Sequence, residues 1–290
     1  QGQYPGSLAG KSVFLSQAHG WYRHSSLGWI TQRGNTNDIV EDFINAEAIN
    51  QYLVQYLFNA GAGVYTCRER DMNSDEAIID NDTTNYSDSG DWTTDTSSTG
   101  IYGSDYKYHP VTTSGHSWAS WSFDPVEAGF YEVYVWYKGN ITTTTTEARY
   151  TVGHNGGDTL VIQNQQRDGW TWKSIGNYYF DPADPVSKRQ VTLSTEGSDP
   201  SKFVVADAVR FGGGMGTIAD PDISNRPRWE ESGKYYAMYM GCDSCGTSTV
   251  SSMPRYAKYE SENWEDSIYF SWHTNAPNPG TGTSSFIHDT

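Results

Sequence analysis

Gly129-Phe-Tyr-Glu-Val-Tyr-Val-Trp-Tyr137 alternates aromatic and β-branched residues in the two-residue rhythm of a β-strand. Working outward, Ala148–Val152, Thr159–Gln163 and Gln190–Leu193 repeat that pattern, with turn residues between them at short intervals. Nothing from 75 to 212 carries a convincing helical period. Many short strands with frequent turns predict a β-sandwich. The five-threonine tract Thr142–Thr146 reads as a solvated loop that could carry a glycan.

The flanks have a different grain. Ser12–Leu15 is a short β-type run, and Val64–Cys67 is another. Between them, a helical pattern over about 38–60 puts Val40, Phe43, Ala46, Leu53, Val54 and Leu57 on one face. Asp38 followed by Glu41 fits a capping box, and Gly61 suits a C-terminal cap. Strand, helix, strand predicts a parallel crossover. After Gly212-Gly-Gly-Met-Gly216, a hinge candidate, the mixed pattern resumes. Arg228–Met240 and Tyr256–Trp264 read as helices, and Ser267–Trp272 as a strand that ends at His273. The expected organisation is an α/β domain in two parts, 1–74 and 213–290, interrupted by an inserted all-β domain, 75–212.

Composition narrows the function classes. The 290 residues carry 35 Asp+Glu against 19 Lys+Arg, a formal net charge of −16, which disfavours a nucleic-acid binder. No apolar run reaches the ~20 residues that span a bilayer. The mean hydropathy of −0.67 would suit disorder, but an aromatic share of 14% argues for a packed fold or a stacked ligand. A low charged share with abundant Tyr, Trp, Thr and Gly suits a secreted or cell-envelope protein of bacteria. The opening Gln1-Gly-Gln-Tyr-Pro-Gly6 suits a mature end left after signal removal. Of the three cysteines, Cys242 and Cys245 read first as a surface disulfide, with a redox motif or half a metal site as alternatives; Cys67 reads as a buried thiol.

Three residues carry candidate chemistry. His19 follows the first strand, Glu41 opens the first helix, and His273 ends the late strand. Ligands of an open parallel sheet gather beyond the carboxyl ends of its strands, and helix N-termini arrive at that same edge. The topology therefore brings all three to one rim. Two histidines and one carboxylate form a catalytic zinc set with a position left for water. Glu41 has a competing role as the capping partner of Asp38. Two His and one Glu also suit other divalent metals.

Phe14-Leu-Ser-Gln-Ala-His-Gly-Trp21, Ile39-Val-Glu-Asp-Phe-Ile-Asn45 and Tyr269-Phe-Ser-Trp-His-Thr-Asn-Ala276 together resemble the zinc-dependent N-acetylmuramoyl-L-alanine amidases. Gly61-Ala-Gly-Val-Tyr-Thr-Cys-Arg-Glu-Arg-Asp71 is similar to that family's second strand. The resemblance covers about 1–74 and 226–290. It implies an amidase-type α/β domain with a parallel-rich sheet, and zinc held by His19, Glu41 and His273. It also implies a cleft lined by Asn45, Arg70 and Asn275. The family's catalytic Glu lies on a later strand. No Glu occurs here after Glu265, so either the domain is C-terminally incomplete, or a partner completes the site, or hydrolysis is lost, and the general base is unassigned.

The inserted block has its own likeness. Ile78-Ile-Asp-Asn-Asp82, Gly90-Asp-Trp92, Tyr102-Gly-Ser-Asp-Tyr106 and Val204-Val-Ala-Asp-Ala-Val-Arg-Phe211 run in order. They resemble the golvesin C-terminal-like domain, also described as a carbohydrate-binding module of xanthan lyases. That implies a jelly-roll-like sandwich. Trp170 and Trp172, two apart, can share a face and are the glycan-platform candidates; Trp136 reads as core. Asp75, Asp80, Asp82, Asp88 and Asp91 could hold structural calcium, although their spacing is irregular.

Two functions follow. The first is a secreted zinc amidase that cuts the N-acetylmuramoyl-L-alanine bond of peptidoglycan, with an accessory β-domain for glycan or a protein partner. The alternative is a non-catalytic cell-surface binding or scaffold protein built on an amidase framework.

Overall fold

The structure, a computed structural model, describes residues 6–9, 11–35, 39–71, 73, 75–97, 99–139, 141–167, 169–215, 218–261 and 266–273. The chain divides into two compact units. Of the described residues, one holds 71–215 and Tyr239–Gly241, and the other holds 6–70, 218–238 and 242–273.

The first unit is a sandwich. Lys173–Phe180, Gly129–Trp136, Ala208–Gly212 and Glu76–Ile79 form a four-stranded antiparallel sheet in that order. Gly157–Gln163, Ala148–His154, Gln190–Ser194, Trp118–Ser122 and Tyr86–Ser89 form a five-stranded antiparallel sheet. One buried cluster draws on both, with Tyr131, Val133, Val135 and Phe211 from one sheet and Trp121, Tyr150, Val152 and Leu193 from the other. Inward-facing alternate residues make that core. A third sheet of three strands, Phe203–Ala206, Tyr106–Pro110 and Thr93–Asp95, completes the unit. The threonine tract is not a solvated loop throughout. Thr144 and Thr145 are buried, because Phe203 and Gln165 take up the backbone hydrogen bonds of the tract. The glycine stretch from 212 is packed as well: Gly212 takes φ +65, and a Cβ there would meet the Asp75 carbonyl oxygen.

The second unit has a small sheet. Asp266–Ser271, Lys11–Ser16 and Gly63–Thr66 lie in that order, all parallel, with Lys11–Ser16 central. The parallel crossover is present, and among the described residues the parallel-rich sheet that the family likeness implied amounts to a small sheet of three strands. Val13, Leu15, Ile49 and Ala62 form the core beneath it, with Leu53, Val54 and Leu57 packed alongside.

The helix differs from its expected form. It runs Glu41–Ala48, relaxes into a π-turn over Ile49–Leu53, and resumes as Val54–Asn59. Its N-cap is Val40, with extended φ and ψ and no side-chain cap bond. Glu41 is therefore the first helical residue; Asp38, its expected capping partner, lies outside the described residues. Glu41 and Asp42 in the first turn still complement the helix dipole. Gly61 does close the helix, with φ +95. Cys242 and Cys245 are joined by a disulfide, and both are buried rather than at the surface. Cys67 is a buried free thiol whose pKa burial pushes up. Among the described residues, no helix is long and apolar enough to cross a membrane.

Candidate metal centre and the golvesin-type domain

Parallel pairing sets the rim of the small sheet. Ser16 lies opposite Ser271, and the Trp272 N–H donates to the Ser16 carbonyl at 3.1 Å. Both chains then leave the sheet at the same edge, carrying His19 and His273. Their rings stand 4.6 Å apart between centroids. His273 Nδ1 lies 3.5 Å from Glu41 Oε1. The three residues that the topology placed at one rim are therefore neighbours.

The electrostatics favour a neutral His19. Burial is the largest cause lowering its pKa, and the nearby His273 adds to it; Asp42 and Glu41 pull the other way. His19 Nδ1 is buried without a hydrogen-bond partner. An orphaned ring nitrogen is costly unless something accepts or binds it. A neutral imidazole is also the form that ligates metal. Two donors on one tetrahedral zinc sit roughly 3.4 Å apart for bonds of about 2.1 Å, close to the separation of His273 and Glu41. The three side chains are not drawn together as a metal site: among the described residues, no group of three or more His, Cys, Asp or Glu is placed to hold an ion. Instead Arg33 Nε holds Glu41 Oε2 at 3.3 Å.

Residues that the pattern did not single out fix this rim. The Asp42 carboxylate accepts the His19 N–H at 2.8 Å. Arg68, fully buried, donates to the carbonyls of Gln17, Asp42, Trp229 and Glu231. Gln17 answers by accepting the Arg68 N–H at 3.0 Å. One guanidinium thereby ties the exit of the first strand to the start of the helix, and burial brings its pKa down to about 10. Positive φ values at Ala18 and Gly20 bend the chain around His19. A Cβ on Gly20 would lie 2.6 Å from the Glu230 carbonyl oxygen and 2.8 Å from Arg68 Nη2. Gly20→Ala is therefore expected to destabilise this unit by about 2 kcal/mol or more. Urea unfolding checks this, and an unchanged midpoint would show that the turn relaxes freely.

Of the cleft candidates, Asn45 is buried one helical turn beyond Glu41, and its Nδ2 has no partner. Arg70 is half-buried, its N–H donating to Glu69 Oε1. Asn275 lies outside the described residues.

In the β-unit, Trp170 and Trp172 do not form one platform. Both precede the strand that starts at Lys173, and Trp170 sits in a turn at φ +65. Trp170 is 40% exposed, whereas Trp172 is 5% exposed and lies edge-on to Trp136. The buried Arg210 guanidinium stacks on Tyr134, Trp172 and Tyr239 at 4.0, 5.0 and 5.3 Å, so Trp172 is a wall of that cage. Trp118 is exposed as well. The acidic string does not gather into one shell. Asp88 is paired with Lys107 at 2.6 Å, and Asp75 accepts the Tyr131 hydroxyl at 3.3 Å. Asp80 is instead close to Asp105 and the buried Asp207.

Residues 77–213 match the Golvesin C-terminal domain. Over 139 residues the chain is 30% identical to Golvesin of Dictyostelium discoideum, covering 46% of this chain and 22% of that protein. The chain thus spans about a fifth of the length of the curated relative it matches. Among solved structures, a Paenibacillus xanthan lyase is similar at 28% identity and a TM-score of 0.43, covering 48% of this chain and 13% of that one. A family 35 carbohydrate binding module from Clostridium thermocellum is similar at 12% identity and a TM-score of 0.34, covering 47% and 98%. The likeness to the Golvesin C-terminal domain is thus confined to residues 77–213.

Proposed function

We propose that this chain is a glycan-directed protein of the cell envelope. Its α/β unit holds one divalent ion, zinc first, on His19, Glu41 and His273, and hydrolyses the N-acetylmuramoyl-L-alanine amide of peptidoglycan. The observation that carries this reading is the buried, unpaired Nδ1 of His19 beside His273 and Glu41. Zinc, when bound there, would polarise the amide carbonyl and bring the pKa of its water to about 7. The chain's own residues do the positioning. His19 offers a neutral nitrogen, Asp42 pins its backbone, and Arg68 locks strand exit to helix start. Asn45 Nδ2 is a free donor for a substrate carbonyl. The base that moves the protons is not assigned to this chain. The golvesin-type domain, with the exposed rings of Trp118 and Trp170, supports glycan binding by the β-unit.

The second reading, a non-catalytic cell-surface binding protein, has the broader support: the match of residues 77–213 to the Golvesin C-terminal domain and the Arg33 ion pair that occupies Glu41 both favour it. One experiment separates them. The zinc-supplied chain is incubated with purified peptidoglycan sacculi, and stem peptides with a free alanine amino group are sought by mass spectrometry. The amidase reading expects their release, and its loss in Glu41→Gln. Co-sedimentation with sacculi without any release would establish the binding protein instead.

A further inference from the structure

The β-unit contains a pocket of about 200 Å³ lined neither by His19, Glu41 and His273 nor by the exposed tryptophans. Its floor is the three-stranded sheet. Tyr106 and Tyr108, two apart on one strand, face the same way. Phe203 stands on the neighbouring strand, its ring edge-on to Tyr108 at 5.3 Å. A relay of polar groups crosses one side. Lys138 Nζ donates to the Tyr106 hydroxyl at 2.8 Å, and that hydroxyl donates to Asp95 at 2.7 Å. Hydrogen bonds from Ser97 and Tyr106 hold the Asp95 carboxyl down at about 2, so it is ionised. The remaining wall is the threonine tract. The Thr144 hydroxyl shares its one proton between the carbonyls of Ile141 and Gln165, at 3.0 and 2.9 Å. The Phe203 N–H donates to the Thr143 carbonyl at 2.9 Å, and Gln166 Nε2 donates to the Thr144 carbonyl at 2.7 Å. The tract is clamped in place with Thr143 exposed at the rim.

We infer that this pocket binds a single neutral pyranose unit of a glycan, an assignment that rests on the glycan-binding reading of the β-unit. Its volume is below the roughly 300–1,000 Å³ of drug-sized sites, which suits one ring rather than a chain. The half-buried rings of Tyr108 and Phe203 offer apolar surface to the C–H face of a sugar. A carboxylate, an ammonium and threonine hydroxyls offer both acceptors and donors to its hydroxyls. The charge balance selects the neutral sugar. Asp95 and Lys138 are the lining residues with full charges, and they offset one another through Tyr106. A uronate would bring an anion with no spare counter-charge, to a chain already at −16.

The test is calorimetric titration of the full chain with four tetrasaccharides: oligomers of N-acetylglucosamine, glucose and mannose, and tetragalacturonate. At least one neutral oligomer is expected to bind, with tetragalacturonate weaker by about tenfold or more. Thr143→Trp fills the mouth from an exposed position and leaves the core intact; Tyr108→Ala removes the stacking wall. Each is expected to weaken binding by about tenfold or more, with the melting temperature of Thr143→Trp unchanged. Binding that survives Thr143→Trp would put the sugar elsewhere and overturn the pocket while the glycan reading stands. Tightest binding of tetragalacturonate would overturn the neutral assignment. If none of the four oligomers binds, the pocket assignment falls; the glycan reading falls with it only if the parent chain also fails to co-sediment with sacculi.

Discussion

At pH 8, Asp207→Asn is expected to melt at a higher temperature than the parent chain, and the gap is expected to close by pH 4. Asp207 is almost fully buried, and burial pushes its carboxyl up to about 8. Asp80 and Asp105 add to that rise, while the Tyr102 N–H, donating to Oδ2 at 3.2 Å, opposes it. Asp80 itself is raised to about 6, chiefly by burial. Both folded values lie above the ~3.9 of an unfolded aspartate. Between those limits the folded state binds more protons than the unfolded state. Stability from these groups is therefore fully present below about pH 4 and is lost as pH rises towards 8. Each retained proton costs about 1.4 kcal/mol per pH unit, up to about pH 6 for Asp80 and about pH 8 for Asp207. The asparagine has no charge to bury and keeps the acceptor for Tyr102. Calorimetric melts of parent and variant from pH 4 to 8 read the difference directly. Carboxylates whose pKa is lowered, such as Asp220 and Asp222, act alike in both and cancel. A parent profile parallel to that of the variant would sink the argument.

The features that were legible in the sequence are those set by period and topology. The alternation around Gly129–Trp136 is a statement about which side of a sheet is dry, and the sandwich core follows it. The rim that joins His19, Glu41 and His273 follows from parallel strands leaving a sheet at one edge. The remainder depends on contacts between residues far apart in the chain, which no local pattern encodes. Arg68 collects carbonyls from Gln17, Asp42, Trp229 and Glu231, and only the folded chain brings these together. Two-residue spacing placed Trp170 and Trp172 on one face. That spacing holds only within a strand, and the strand begins after them. Thr142–Thr146 looks like solvent-facing low complexity. Its burial is decided by Gln165, Gln166 and Phe203, which take up its backbone bonds. The π-turn at Ile49–Leu53 likewise displaces the helical face from the ideal register.

Metal uptake is the second large effect. The purified chain, supplied with zinc and then desalted, is expected to retain about one ion per molecule by elemental analysis. His19→Ala and His273→Ala are each expected to lose it, since two remaining protein donors fall short of the three that a catalytic zinc needs. Retained zinc should also raise the melting temperature of the α/β unit, because ligand bound only by the folded state stabilises it by mass action. The Arg33–Glu41 ion pair adds a prediction that a generic surface histidine pair would not make. Arg33 competes with the metal for Glu41 Oε2, and its positive charge repels an incoming cation. Arg33→Gln is therefore expected to tighten zinc binding by about tenfold, the direction opposite to the ligand variants. Competition titration with a chromogenic chelator measures all four proteins on one scale. Weaker binding in Arg33→Gln would mean that Arg33 orients Glu41 for the metal rather than competing with it. A parent chain that retains no metal after being supplied with zinc, manganese or cobalt would remove the hydrolase reading and leave the surface binding protein.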